Sequence, residues 1–164
     1  MHKDSVNHIL EHLKAHLKGK VVILGIGNNL RCDDGFGSLL ASRLKDKVPY
    51  IVYDAATSPE NYLGKIVKDS PENIVIIDSA DFGGYPGELR LAQTDEIQSV
   101  NLFSTHNASL SLTTNYLKKD LRADIIILII QPKCIAFGDK LSPEISDTLE
   151  KLEHWFYETA QEKG

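Results

Sequence analysis

Four short runs of mostly β-branched residues constrain the fold of this chain more than any other feature. They span residues 20–25, 50–54, 73–78 and 124–130. None of them alternates apolar with polar residues, which is typical of parallel strands covered on both faces. Segments with helical spacing separate the runs, so strands and helices alternate. The sequence therefore predicts an α/β fold, a three-layer sandwich whose mainly parallel, twisted sheet of about five strands has helices on both faces.

Two further elements are predicted besides the four buried strands and the helices between them. Residues 88–92 alternate apolar with polar residues after a Pro-Gly turn, which predicts an edge strand and is compatible with an antiparallel one. Residues 1–19 form an amphipathic helix that ends at Gly19. No repeat or Pro-, Gly- or Ser-rich linker divides the chain, so we expect one domain over 1–164 with the helix as an N-terminal extension.

Two helix starts share a serine, proline and glutamate in succession, at 58–60 and 142–144. Proline suits the first helical position, and the acid favours the positive end of the helix dipole. We expect helices that begin at Pro59 and Pro143, each capped by the hydroxyl of the preceding serine.

Charge and composition exclude several classes of function. The chain has 18 basic and 23 acidic residues, a net charge of -5, so we expect no nucleic-acid partner. The longest wholly apolar run, 125–130, is far shorter than the roughly 20 residues of a membrane helix. No signal-peptide hydrophobic region is visible, so we expect a cytoplasmic protein without a membrane partner. Cys32 and Cys134 lack CxxC spacing, which argues against a zinc knuckle or a disulfide scaffold.

Two adjacent acids, Asp33 and Asp34, follow the glycine turn that leaves the first predicted strand. A dinucleotide-binding loop is disfavoured, because Leu30 stands where its third glycine belongs and the two carboxylates would repel phosphate. Two interpretations stay open. The acids cap the next helix, or they form part of a cation site at the carboxyl end of the strand.

Asp78 ends the third buried run. If the strand order resembles the flavodoxin type, 2-1-3, strands one and three are neighbours and Asp34 and Asp78 meet at the topological switch point, where ligands bind. Alternatively, Asp78 is a loop carboxylate held by backbone N–H groups. Asp54, with Thr57 and Ser58, ends the second run and either lines the same cleft or caps the helix that follows.

His106 introduces a further predicted helix and is the third candidate site residue. With Asp34 and Asp78 it supplies one nitrogen and two oxygens, a set that suits nickel, zinc or iron and leaves positions for other ligands. The alternative is a capping or surface histidine. The histidines at 8, 12 and 16 share one face of the first helix, which we interpret as a solvated face.

A series of short motifs in fixed order resembles one family, the nickel-iron hydrogenase maturation endopeptidases. The resemblance runs from about Val21 to about Leu152. Its motifs are Gly25-Ile-Gly-Asn, Asp33-Asp34-Gly, Asp54-Ala-Ala-Thr-Ser-Pro-Glu60, Ile77-Asp78-Ser-Ala-Asp81, Pro86-Gly-Glu88, Ser104-Thr-His106-Asn and Ile130-Gln-Pro132. Lys133 is a departure, since relatives often have an acid there.

The resemblance implies a cytoplasmic hydrolase that removes a C-terminal extension from the hydrogenase large-subunit precursor after nickel insertion. It implies that Asp34, Asp78 and His106 are both the catalytic and the metal-binding residues, and that the precursor supplies the nickel. The family shows no serine or cysteine nucleophile, so the endopeptidase is of aspartyl type and Cys32 is a poor nucleophile candidate. Nickel would act as a Lewis acid or lower the pKa of water, and the sequence does not choose between these.

Two other classes of function compete with the protease. A phosphoacceptor receiver domain also has paired acids, an Asp ending strand three and a Lys near a Pro. However, eight residues separate Gly25 from Asp34, and Lys133 follows its proline instead of preceding it. A non-catalytic nickel-binding chaperone is the second competitor, and it would bind nickel without a precursor.

Overall fold

The computed structural model describes residues 2–97 and 107–162, which form five strands and five α-helices. The strands are β1 Val21–Ile26, β2 Ile51–Ala56, β3 Asn73–Ser79, β4 Leu89–Gln93 and β5 Asp124–Ile130. The helices are α1 His2–Ala15, α2 Phe36–Leu44, α3 Leu63–Asp69, α4 Asn107–Asp120 and α5 Pro143–Glu162. Short 3₁₀ helices span Cys32–Gly35, Pro59–Tyr62 and Thr94–Ile97.

The five strands form one sheet in the order β2-β1-β3-β5-β4. The pairs β1 with β2, β1 with β3 and β3 with β5 are parallel, and β4 is antiparallel to β5 at the edge. The predicted α/β class, the antiparallel edge strand and the 2-1-3 strand order are confirmed. Because β1 and β3 are neighbours, the loops that follow them emerge side by side at the carboxyl edge of the sheet.

Helices cover both faces of the sheet, and each face has its own apolar core. On one face the sheet packs against α1, α2 and α5, with Leu13, Phe36 and Phe156 fully buried. On the other face it packs against α3 and α4 through Ile66 and Leu117. Burial of each such side chain stabilises the fold by about 1.5–3 kcal/mol. The strands are apolar on both sides because both sides face a helical layer.

The helix termini differ from the sequence predictions in detail. Helix α1 ends at Ala15, before the predicted Gly19, which lies further on in a left-handed conformation with φ of +68°. A helical segment begins at Pro59 as predicted, but as a 3₁₀ turn, and Ser58 makes no side-chain capping hydrogen bond. Helix α5 begins at Pro143 as predicted. The predicted cap by Ser58 is wrong, because the 3₁₀ turn is closed by backbone hydrogen bonds instead.

None of the helices in the described part of the chain is long and apolar enough to cross a membrane.

Candidate functional site

Two glycines allow a short turn to lie directly on the carboxyl end of the sheet. The turn is the 3₁₀ helix Cys32–Gly35, which precedes α2. A Cβ atom on Gly27 would lie 2.5 Å from the carbonyl oxygen of Asp34, and one on Gly37 would lie 2.4 Å from the carbonyl oxygen of Ile77. Both distances are shorter than van der Waals contact allows, so neither position has room for a side chain. The glycines therefore permit the close approach that places Asp34 beside β3.

Asp34 and Asp78 meet at Ser79. The hydroxyl of Ser79 donates a hydrogen bond to Oδ1 of Asp34 at 3.1 Å, and the backbone N–H of Ser79 donates to Oδ1 of Asp78 at 2.8 Å. Both carboxylates are buried, with 2% of Asp34 and 1% of Asp78 exposed. The structure thus brings together the two acids that the strand order predicts to meet. The alternative interpretation of Asp78 is a loop carboxylate held by backbone N–H groups. The hydrogen bond from the Ser79 N–H is a contact of that kind.

Asp33 points to a different part of the molecule and accepts four hydrogen bonds there. Its Oδ2 accepts from the backbone N–H groups of Lys133 and Cys134, at 3.0 and 2.9 Å, and from the hydroxyl of Ser142 at 2.8 Å. Its Oδ1 accepts from the backbone N–H of Ser142 at 2.7 Å. Asp33 therefore ties the segment between β5 and α5 to the site turn. The interpretation that Asp33 caps the next helix is wrong, since neither the 3₁₀ turn nor α2 has a side-chain capping hydrogen bond. The Ser142 hydroxyl donates to Asp33, and its capping of α5 stays a prediction.

Asp54, at the end of β2, fixes the start of α2 instead of the helix that follows it. Its Oδ1 accepts hydrogen bonds from the hydroxyl of Ser38 at 2.7 Å and from the backbone N–H of Ala56 at 3.0 Å. The side-chain amide of Asn29 donates to the same hydroxyl at 3.2 Å. Of the two interpretations of Asp54, capping of the Pro59 helix is wrong, because its carboxylate connects β2 with α2 instead. That Asp54 lines the cleft stays a prediction.

Gln131, which follows β5, positions the loop after β3. Its side-chain oxygen accepts hydrogen bonds from the backbone N–H groups of Phe82 and Gly84, and its amide donates to Asp81 at 3.0 Å. The hydrogen bond from the Gly83 N–H, followed by that from Gln131, lowers the pKa of Asp81. In the sequence, Gln131 stands out only as part of the Ile130-Gln-Pro132 motif. A buried glutamine directly after a buried strand was the available signal for this role.

His106, the third predicted site residue, lies outside the described residues. Within residues 2–97 and 107–162, no group of three or more histidine, cysteine or acidic side chains is arranged to hold a metal ion. The described part of the chain therefore contains two of the three predicted site residues, Asp34 and Asp78. The three-residue ligand set remains a prediction.

The histidines of α1 lie away from this edge. His8 and His12 are exposed, as the solvated-face interpretation expects, but His16 is half-buried. The rings of His12 and His16 stack with centroids 5.8 Å apart. Burial and, next, the neighbouring His12 lower the pKa of His16. The solvated-face interpretation is therefore wrong for His16, which follows the last residue of α1 and is half-buried.

Three exposed apolar side chains project beside the site from two segments joined by backbone hydrogen bonds. The exposed fractions are 59% for Leu30, 41% for Ile135 and 86% for Phe137. The backbone N–H of Gly138 donates to the carbonyl of Leu30 at 2.8 Å, and the guanidinium of Arg31 donates to the carbonyl of Ile135 at 3.1 Å. We call these three side chains the apolar rim. The rim therefore places three exposed apolar side chains on the two segments that adjoin the site turn.

The fold and the paired carboxylates define an α/β protein with a candidate active site at the carboxyl edge of its sheet. A family model described as HycI, hydrogenase maturation protease, matches residues 35–158, a range that includes Asp78 and His106 and begins one residue after Asp34. Hydrogenase 3 maturation protease of Escherichia coli strain K12 is 34% identical over 140 residues, which cover 82% of this chain and 89% of that protein.

Two solved structures of hydrogenase maturation proteases are also similar to this chain in both fold and sequence. The crystal structure of a NiFe hydrogenase maturation protease HycI from Thermococcus kodakarensis KOD1 has a TM-score of 0.81 and 33% identity, covering 92% of this chain and 99% of that one. The solution structure of the endopeptidase HycI from Escherichia coli has a TM-score of 0.75 and 32% identity, covering 85% and 90%. The chain belongs to the hydrogenase maturation protease family. It is accordingly a hydrolase, an endopeptidase of hydrogenase maturation.

Proposed function

We propose that this endopeptidase removes the C-terminal extension from the precursor of a nickel-iron hydrogenase large subunit after nickel has been inserted. The family membership supports the reaction class and the kind of precursor. The observation that carries the proposal is the convergence of Asp34 and Asp78 on Ser79 at the carboxyl edge of the sheet. A cytoplasmic location is part of the proposal.

We further propose that Asp34, Asp78 and His106 bind the nickel that the precursor brings, so that the ion is part of the substrate. Two carboxylates and one imidazole suit nickel and leave coordination positions for groups of the precursor. Recognition of the metal would make cleavage conditional on its insertion. In this proposal the enzyme has no resident metal, in contrast to a zinc protease whose own ligands hold the ion throughout.

The side chains around the site suit the orientation of a peptide for hydrolysis. Nickel held in the precursor would supply Lewis acidity to the reaction. The hydroxyl of Ser79 orients the carboxylate of Asp34, and its backbone N–H orients that of Asp78. Because both carboxylates are buried, little bulk water competes for them, and their electrostatic interactions are stronger than on the surface. Hydrolysis then adds one water across the scissile peptide bond.

The apolar rim gives the precursor a place to dock next to these carboxylates. Leu30 precedes the site turn, and Ile135 and Phe137 lie on the segment tied to it by Asp33. We propose that an apolar part of the precursor covers these side chains while its metal-bearing end reaches Asp34 and Asp78. Partial burial of a side chain as large as Phe137 contributes about 1–2 kcal/mol to such an encounter.

The contacts of Lys133 disfavour a receiver domain. A receiver needs this ammonium beside its phosphoacceptor acid, but Nζ of Lys133 lies 2.9 Å from Oε1 of Glu144 at the start of α5. The hydrogen bond from Lys133 lowers the pKa of Glu144. The ammonium is therefore directed to α5. Incubation with acetyl phosphate is expected to leave Asp78 unmodified, and a stable aspartyl phosphate would favour the receiver.

The test of the proposal is a processing assay with purified large-subunit precursor in nickel-loaded and nickel-free forms. We expect the loaded precursor to lose its C-terminal tail and the nickel-free precursor to remain intact, as followed by intact-mass spectrometry. Equal cleavage of both forms would contradict nickel recognition. Tight nickel binding in equilibrium dialysis without precursor, together with no cleavage, would instead favour the nickel-binding chaperone.

Variants of two carboxylates separate the site from its surroundings in the same assay. We expect Asp78→Asn to abolish processing of the loaded precursor, because the amide is a weak ligand and carries no charge. Asp147→Asn is the control and should leave processing unchanged, since Asp147 is an exposed carboxylate of α5 that pairs with Lys151. Full processing by Asp78→Asn would remove Asp78 from the site.

A further inference from the structure

The only two cysteines of the chain lie against each other beside the site turn. Cys32 begins the 3₁₀ turn that carries Asp34, and Cys134 lies in the segment between β5 and α5. Both side chains are half-buried, and their thiols are hydrogen-bonded to each other. That contact raises the pKa of the Cys32 thiol, with burial as the next cause. Neither thiol has a role in the proposed hydrolysis.

The backbone around the two cysteines is fixed by a dense set of hydrogen bonds. The N–H of Asp33 donates to the carbonyl of Cys134 at 3.0 Å, and the N–H of Cys134 donates to the carboxylate of Asp33 at 2.9 Å. The N–H of Cys32 donates to the carbonyl of Gly138 at 2.8 Å, and a Cβ atom on Gly138 would lie 2.9 Å from the sulfur of Cys32. The two segments are therefore held side by side before any covalent bond forms, which favours a bond between the two sulfurs.

We propose that Cys32 and Cys134 form a reversible intramolecular disulfide by exchange with a low-molecular-weight disulfide of the glutathione class. The thiolate of one cysteine attacks the small disulfide and releases one small thiol, which leaves a mixed disulfide on the protein. The thiolate of the second cysteine then displaces the second small thiol and closes the protein disulfide. In total, two protein thiols are oxidised and one small disulfide is reduced to two thiols. Excess small thiol reverses both steps.

The bond would join two segments that are far apart in sequence but adjacent in space. A link of this kind restricts the unfolded chain over a long loop, so the oxidised protein unfolds at a higher temperature. For a protein of this size we expect a rise in Tm of roughly 5–10 °C. It would also restrain the apolar rim, since Leu30 and Phe137 lie on the two linked segments. The pair is thus a modification site distinct from the carboxylates, and its formation does not depend on the proposed function.

The test uses the full-length protein, oxidised glutathione as the probe, and intact-mass spectrometry after alkylation of free thiols. We expect the reduced protein to take two alkyl groups. After oxidation we expect a monomer that takes none, carries no glutathione, and regains both alkylation sites on reduction. Cys32→Ser and Cys134→Ser are the matched controls, and each should end as a stable mixed disulfide with one glutathione. The rise in Tm should appear in the wild-type protein and in neither variant.

Three results would overturn the proposal. A wild-type protein that retains two alkylatable thiols has no exchange-competent pair. Two glutathione adducts on one chain would show that the sulfurs do not reach each other. A disulfide-linked dimer would show that the pairing is between molecules. The assay has no precursor in it, so its outcome is independent of whether the protease proposal holds.

Discussion

Asp33 and Asp34 are adjacent, acidic and buried, yet they belong to two different regions of the molecule. Asp33 lies in a closed region, where four hydrogen bonds from the segment between β5 and α5 surround its carboxylate. Asp34 lies at the carboxyl edge of the sheet, where it shares Ser79 with a second carboxylate, Asp78. Burial of a carboxylate therefore does not by itself indicate a site. The backbone donors around Asp33 indicate a structural role, whereas the convergence of Asp34 with a second acid supports our proposal that Asp34 belongs to the active site.

The largest expected effect separates the two regions by activity. Asp34→Asn should lower the rate of precursor cleavage at least about 100-fold, because residues that only orient metal ligands already contribute about 10- to 100-fold. The amide still accepts the hydrogen bond from Ser79, so the unfolding midpoint should stay close to that of the wild-type protein. Single-turnover cleavage measures the rate, and thermal unfolding of the same preparation measures the unfolding midpoint. Undiminished cleavage would remove Asp34 from the site.

Asp33→Asn should have the opposite effect, a loss of stability with the cleavage activity of the folded protein retained. An amide has one acceptor oxygen, so at least one of the backbone N–H groups of Lys133, Cys134 or Ser142 is left without its bond. The loss of charge weakens the bonds that remain, and we expect a decrease of about 2–4 kcal/mol in the free energy of unfolding. Urea denaturation measures this loss. Normal stability together with lost cleavage would place Asp33, and not only Asp34, in the chemistry.

The apolar rim should affect binding more than turnover. Phe137→Ala is expected to raise KM for the precursor roughly 5- to 10-fold with kcat unchanged, since about 1.4 kcal/mol of lost contact is a factor of ten. Its stability should change little because the side chain is exposed. Leu112→Ala, an exposed apolar position on α4, is the matched control. An unchanged KM in Phe137→Ala would place precursor docking elsewhere.

The smallest effect concerns Asp81, an exposed carboxylate that also fixes a loop. Its pKa lies below the ordinary value of 3.8 because the Gly83 N–H and then the Gln131 amide donate to it. A lowered pKa stabilises the fold above the ordinary value, and that contribution is lost as the pH falls through the lowered pKa. Wild-type protein should therefore exceed Asp81→Asn in Tm by at most a few degrees at neutral pH. The difference should shrink below pH 3.8, and a difference constant with pH would contradict this account.

The sheet was predictable because its signal is local. Each buried run is apolar between its ends and β4 alternates, so the type and position of each strand followed from short windows of sequence. The approach of Asp34 to Asp78 was predictable only through the assumed strand order, which the structure confirms. The resemblance in motifs gave the family, which the comparisons also show.

The division between Asp33 and Asp34 was not predictable, because the partners of Asp33 lie about a hundred residues away. The same is true of Asp54, whose carboxylate bonds Ser38 on a helix earlier in the chain, and of Gln131. Hydrogen bonds between distant segments leave no periodic trace in the sequence. His106 stays a prediction, since it lies outside the described residues.

Ser79 is not a candidate site residue in the sequence, yet it donates hydrogen bonds to both carboxylates. Its hydroxyl donates to Asp34 and its backbone N–H donates to Asp78. A shift of the end of β3 would therefore move Asp34 and Asp78 together, and their separation is set when the protein folds. The two carboxylates would then be preorganised for a ligand. Binding would cost little side-chain entropy, because the side chains of Asp34 and Asp78 are already held in place. Ser79→Ala would keep the backbone donor to Asp78 and remove only the hydroxyl donor to Asp34, so it tests what the hydroxyl contributes to the position of Asp34.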